Sequence, residues 1–65
     1  MNIELLKRYI ENSHLGTVRN LAIEIGINEQ TLYTFLRNDR IHSKYLSCIF
    51  KALNLTNEQI LKLFE

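Results

Sequence analysis

Apolar residues recur along this chain at intervals of three and four, the spacing that lines up side chains on one face of a helix. Ile3, Leu6 and Ile10, with Leu5 and Tyr9, form the first such stripe. Asn2 ahead of them is a good N-cap residue, so a first helix is expected to run to about Asn12. Ser13-His14-Leu15-Gly16 reads as a turn, after which Thr17 caps a second helix with Val18, Leu21, Ala22 and Ile25 on one face. Gly26 stops that helix, because glycine just past a helix end readily takes the left-handed conformation, and Ile27 beyond it can fold back on the apolar face. Asn28 follows at once as the next N-cap.

The third helix turns Leu32, Phe35 and Leu36 inward and leaves Glu29, Gln30, Tyr33, Thr34 and Arg37 pointing out. Asn38, a residue tolerant of positive φ, is expected to end it. A fourth helix begins near Ser43 and buries Leu46, Ile49, Phe50 and Leu53. The fifth opens on Thr56-Asn57-Glu58-Gln59, the pattern of a capping box, and adds Ile60, Leu61 and Phe64 to the apolar set. There is no proline, repeat or low-complexity tract, and short links make the helices neighbours. The predicted fold is all-α: a compact bundle of five short helices in one domain, residues 1–65, containing a helix-turn-helix.

A chain of 65 residues holds one core and no second domain, which leaves function to the outer surface and excludes a large substrate or small-molecule pocket. No stretch approaches the ~20 apolar residues needed to span a bilayer, and Met1-Asn2-Ile3-Glu4 lacks a signal peptide's basic and apolar regions. A soluble, cytoplasmic protein without membrane partners is expected. Cys48 is the lone cysteine, so no internal disulfide forms; its place among the apolar positions of the fourth helix makes it a small hydrophobe. His14 and His42 lie far apart without the ligand spacing of a zinc site, so no metal or other cofactor is expected. Nor is catalysis: Ser13 beside His14 sits in a turn with no third group to orient the pair.

The net charge of +1 is weak for a protein that grips phosphates, but its distribution changes the picture. Up to Asn28, Lys7, Arg8 and Arg19 offset Glu4, Glu11 and Glu24. From Glu29 to Lys51, Arg37, Arg40, Lys44 and Lys51 face only Glu29 and Asp39. The surplus lies in the middle of the chain, around the third helix.

Ala22 allows close helix approach, Gly26 four residues later makes the sharp turn, and Leu32 six residues on plugs the crevice between the second and third helices. The string Leu21-Ala22-x-x-x-Gly26-Ile27-Asn28-x-x-Thr31-Leu32 resembles the helix-turn-helix of the lambda-type phage repressor and Cro (XRE-like) family. Leu46, Ile49 and Ala52-Leu53-Asn54-Leu55-Thr56 extend the resemblance through that family's fourth helix, its Ala-Leu-Gly-Val-Ser-like turn and the start of its fifth. The resemblance implies a DNA-binding transcription regulator, such as a repressor, that reads double-stranded DNA with the segment 28–37. Base-edge contacts would come from Glu29, Gln30, Tyr33 and Thr34. Gln30 is the strongest, since its amide can both donate to and accept from adenine; Glu29 could equally complement the helix dipole. Phosphate contacts would come from Thr17, Arg37, Arg40, Ser43 and Lys44, with Arg19 beside Thr17. Val18 departs from the pattern, standing where the family usually carries a glutamine that reaches a phosphate.

Gln30-Thr31-Leu32-Tyr33-Thr34-Phe35 is also similar to the recognition helix of the tetracycline-repressor family, but that family adds a large helical ligand domain, and the fourth and fifth helices favour the lambda-type pattern. Leu63 and Phe64 are apolar residues beyond the needs of the core and are expected at the interface of a homodimer, the arrangement that reads a two-half-site operator. The low net charge and Glu29 leave a second reading open, a small helical protein-binding module such as an anti-repressor.

Overall fold

The computed structural model describes every residue from Met1 to Glu65 and contains helices and turns only. The elements in chain order are α1 (Ile3–Asn12), α2 (Val18–Ile25), α3 (Glu29–Asn38), α4 (Ser43–Ala52) and α5 (Asn57–Leu63). None exceeds ten residues, and isolated helices shorter than about 12–15 residues are marginal in water, so capping and packing hold them. Asn2 Oδ1 accepts from the Leu5 N–H at 3.1 Å, Thr17 Oγ1 from Asn20 at 3.1 Å and Asn28 Oδ1 from Gln30 at 2.7 Å. The capping box of α5 is complete, with Thr56 Oγ1 accepting from the Gln59 N–H at 3.2 Å and Gln59 Oε1 from the Thr56 N–H at 2.8 Å.

Two turns set the path of the chain before α3. Ser13 Oγ donates to the Ile10 carbonyl at 2.6 Å and accepts from the Leu15 and Gly16 N–H groups, which commits this hydroxyl to the α1–α2 turn. Gly26 then adopts φ 77°, a left-handed conformation that costs other L-residues roughly 1–2 kcal/mol. The Ile27 N–H donates back to the Ala22 carbonyl at 3.0 Å, closing the end of α2.

Leu6 and Ile10 of α1, Leu21 and Ala22 of α2, Leu32 and Leu36 of α3, Ile49 of α4, Leu53 and Leu63 form the buried core. The second helix is central, packing against α1, α3 and α4, while α1 also packs against α5. The Asn2 N–H donates to the Leu63 carbonyl at 2.6 Å and the Tyr9 hydroxyl to the Gln59 carbonyl at 3.1 Å, tying α1 to α5. The radius of gyration, 10.6 Å, is close to the ~11 Å of a compact domain of this length. No helix is long and apolar enough to cross a membrane.

The structure corrects four expectations. Leu63, placed at a dimer interface, is fully buried, whereas Leu61, assigned to the core, is 67% exposed. Both belong to i,i+3 pairs, Ile60 with Leu63 and Leu61 with Phe64, and the docking of the last turn of α5 on Asn2 selects the first pair. Cys48 is exposed, because Ile49 and Leu53 define the inward face of α4 and Cys48 lies off it. Leu46, expected inside, is only half-buried. The third helix ends at Asn38 as expected, with its neighbour Asp39 in the left-handed position at φ 52°.

Leu63→Ala is expected to destabilise the fold by about 2–5 kcal/mol, and Leu61→Ala by no more than ~0.5 kcal/mol. Urea unfolding of both variants checks this assignment; equal costs would contradict it.

Candidate nucleic-acid interface

On α3 the buried stripe of Leu32 and Leu36, with half-buried Phe35, leaves an opposite stripe of Gln30, Tyr33, Thr34 and Arg37. These four stand at i, i+3, i+4 and i+7, one face of a helix, and all are exposed. The local sequence builds this directly. Asn28 caps the helix immediately after Gly26 and Ile27, so the first outward residue of α3 stands only a few residues from the last turn of α2. The Gln30 side-chain amide makes no hydrogen bond within the protein, whereas the Thr34 hydroxyl donates to the Gln30 backbone carbonyl at 2.9 Å. Glu29 is half-buried in the first turn of α3, where a carboxylate complements the positive end of the helix dipole.

Most basic side chains of the protein form no ion pair. Ion pairs form only between the Met1 ammonium and Asp39, at 3.4 Å, and between Lys7 and Glu4, at 3.9 Å. Arg19, Arg37, Arg40 and Lys44 are exposed and salt-bridge to nothing. Lys44 instead lies over the Tyr45 ring, 5.1 Å from its centroid, and Tyr45 packs on Phe35 with centroids 5.5 Å apart. This chain of contacts carries a cation at the start of α4 to the side of α3.

The starts of α2 and α4 are exposed and capped by side chains. Thr17 uses its oxygen to cap α2 yet keeps its own proton for donation, and the Val18 and Arg19 N–H groups in that turn have no acceptor. Val18, at the departure from the resembled pattern, packs against the core and offers no polar side chain. The cap of α4 is His42: its Nδ1 accepts from the Lys44 N–H at 3.2 Å, and Ser43 is the first helical residue, exposed with a free hydroxyl. Because Nδ1 is the acceptor, the neutral ring carries its proton on Nε2 and presents a further donor.

His42 and Tyr45 are the members that sequence reasoning missed. The start of α4 near Ser43 is as expected, but no cap could be assigned before it, because histidine is not among the preferred N-cap residues. Tyr45 was visible only as an aromatic between Lys44 and Leu46, and its partner Phe35 is ten residues away on another helix.

No protein-family model, curated protein or solved structure matches this chain. Its exposed features are the polar stripe of α3, unpaired basic side chains and the open starts of α2 and α4.

His42→Ala is expected to cost about 0.5–1 kcal/mol and to speed amide exchange at Lys44, while His42→Ser keeps a cap. Hydrogen exchange and urea unfolding measure both; an alanine variant matching the parent in each would rule out the capping role.

Proposed function

We propose that this protein is a sequence-specific, double-stranded-DNA-binding transcription regulator of the repressor and Cro kind that phages carry, with α3 lying in the major groove. The observation that carries the reading is the exposed Gln30, Tyr33, Thr34 and Arg37 stripe on a helix joined to α2 by Gly26, Ile27 and Asn28 alone. A major groove about 12 Å wide admits one helix, and base edges there are told apart by donors, acceptors and the thymine methyl. Gln30, with an uncommitted amide, is the principal base reader and pairs with adenine; Tyr33 and Thr34 stand beside it. Glu29 serves the helix dipole first.

Thr17, Arg19, Arg37, Arg40, Ser43 and Lys44 hold phosphates in this reading. Backbone N–H groups at helix starts bind anions without adding charge, which reconciles DNA binding with a net charge of +1. Asn54, at the glycine position of the resembled turn, has φ 55°, the conformation a glycine there would adopt. Two copies read an operator of two half-sites, meeting through the exposed Phe64 and Leu61 in place of the buried Leu63. A two-fold dimer sets the recognition helices about 34 Å apart, one turn of DNA.

A protein-binding module is the second reading, favoured by Ile23, an apolar side chain 68% exposed on α2 and outside the proposed set of DNA contacts. It predicts affinity for a partner with little salt dependence.

Gln30→Ala should weaken binding to the selected site by ~1–3 kcal/mol and leave random DNA nearly unaffected. Lys44→Ala should weaken both similarly and reduce the slope of log affinity against log salt by about one. Titrations at several salt concentrations, after selection of bound sequences from a random library, separate these outcomes; no effect of either change would transfer the function to the protein-binding reading.

Sedimentation of the protein on a palindromic site should show two copies per duplex, and Phe64→Glu should reduce this to one. A single copy of the parent protein per duplex would exclude the dimer.

A further inference from the structure

Position 34 carries a chemical restriction that Gln30 lacks. The Thr34 hydroxyl donates to the Gln30 carbonyl, one helical turn back, at 2.9 Å. Threonine makes this bond readily in a helix, and it selects one orientation about the Cα–Cβ bond. A hydroxyl has a single proton. With that proton committed to the backbone, the exposed side of Thr34 presents its γ-methyl and oxygen lone pairs, and no donor. The Gln30 amide, free of internal bonds, keeps both donor and acceptor.

In the major groove guanine displays only acceptors, N7 and O6, so a side chain without a donor gains nothing from it. Thymine displays a methyl group that an apolar group can cover. We infer that Thr34 is a specificity-determining residue that selects thymine through its γ-methyl and disfavours guanine, its hydroxyl serving the helix and not the DNA. The inference rests on the DNA-reading function proposed above. A helical turn rises 5.4 Å and base pairs stack every 3.4 Å, so this thymine lies one or two base pairs from the pair met by Gln30.

The experiment uses the full chain and the site recovered by library selection, with each thymine replaced in turn by uracil, which deletes only the C5 methyl. At one thymine the parent protein should lose three- to fourfold in affinity, the ~0.8 kcal/mol of a buried methyl at 1.4 kcal/mol per tenfold. Thr34→Ser, which keeps the hydroxyl and its bond but removes the methyl, should bind the thymine site that much more weakly and become indifferent to uracil there. Thr34→Val, which keeps a methyl and removes the hydroxyl, should retain the uracil sensitivity. Circular dichroism establishes that each variant is folded. Specific binding in which no uracil effect depends on residue 34 overturns this inference alone. So does a site with guanine at that step bound well by Thr34→Ser and poorly by Thr34→Val, because the hydroxyl would then be the reading group. If no sequence is selected at all, the DNA-reading function and this inference fall together.

Discussion

Everything on the outer face of α3 depends on how abruptly the chain leaves α2. The Ala22 carbonyl accepts from both the Gly26 and the Ile27 N–H groups, which satisfies the end of α2 within a single residue of left-handed backbone. Asn28 then begins the next helix with its own cap. A side chain at position 26 would meet no neighbouring atom, so the need for glycine there is one of backbone conformation and not of space. Ala22 and Leu32 are buried on the two helices that this joint connects, and their packing fixes which side of α3 is turned outward.

The order of elements and most helix limits could be read from the chain because the signals are local. Asn2, Thr17, Asn28 and Thr56 each cap the helix that follows, and Gly26 takes positive φ as its place after an apolar stripe requires. The failures came where two choices obey the same period. In α5, Ile60 with Leu63 and Leu61 with Phe64 are equivalent as helical pairs, and only the approach of Asn2 and α1 decides between them. Cys48 is adjacent to Ile49, and a rotation of about 100° between successive helix residues is enough to carry it out of the core.

The candidate site was legible to a different degree at each position. Gln30, Tyr33, Thr34 and Arg37 follow from the periodicity of α3 alone, since the buried Leu32 and Leu36 define the opposite face. The start of α4 was not legible in the same way. The His42 cap comes from a residue type seldom found there, and the Lys44, Tyr45 and Phe35 contacts depend on how α4 leans on α3, a tertiary matter that no local pattern encodes. Likewise, the commitment of the Thr34 proton is a choice among rotamers that the sequence permits without specifying.

The brevity of the helices has a consequence for how such a surface is regulated by its own stability. With seven to ten residues each, none of the five persists apart from the others, and the buried core is drawn from all of them. The face of α3 therefore exists in the folded fraction of molecules and nowhere else. Apparent affinity for any ligand of that face equals intrinsic affinity scaled by this fraction, so it declines along the melting curve as temperature rises. A bound ligand in turn draws the population toward the folded state by mass action. Substitutions deep in the core, remote from the surface, then lower occupancy in the same way as substitutions within it, and only a measurement of the folded population distinguishes the two.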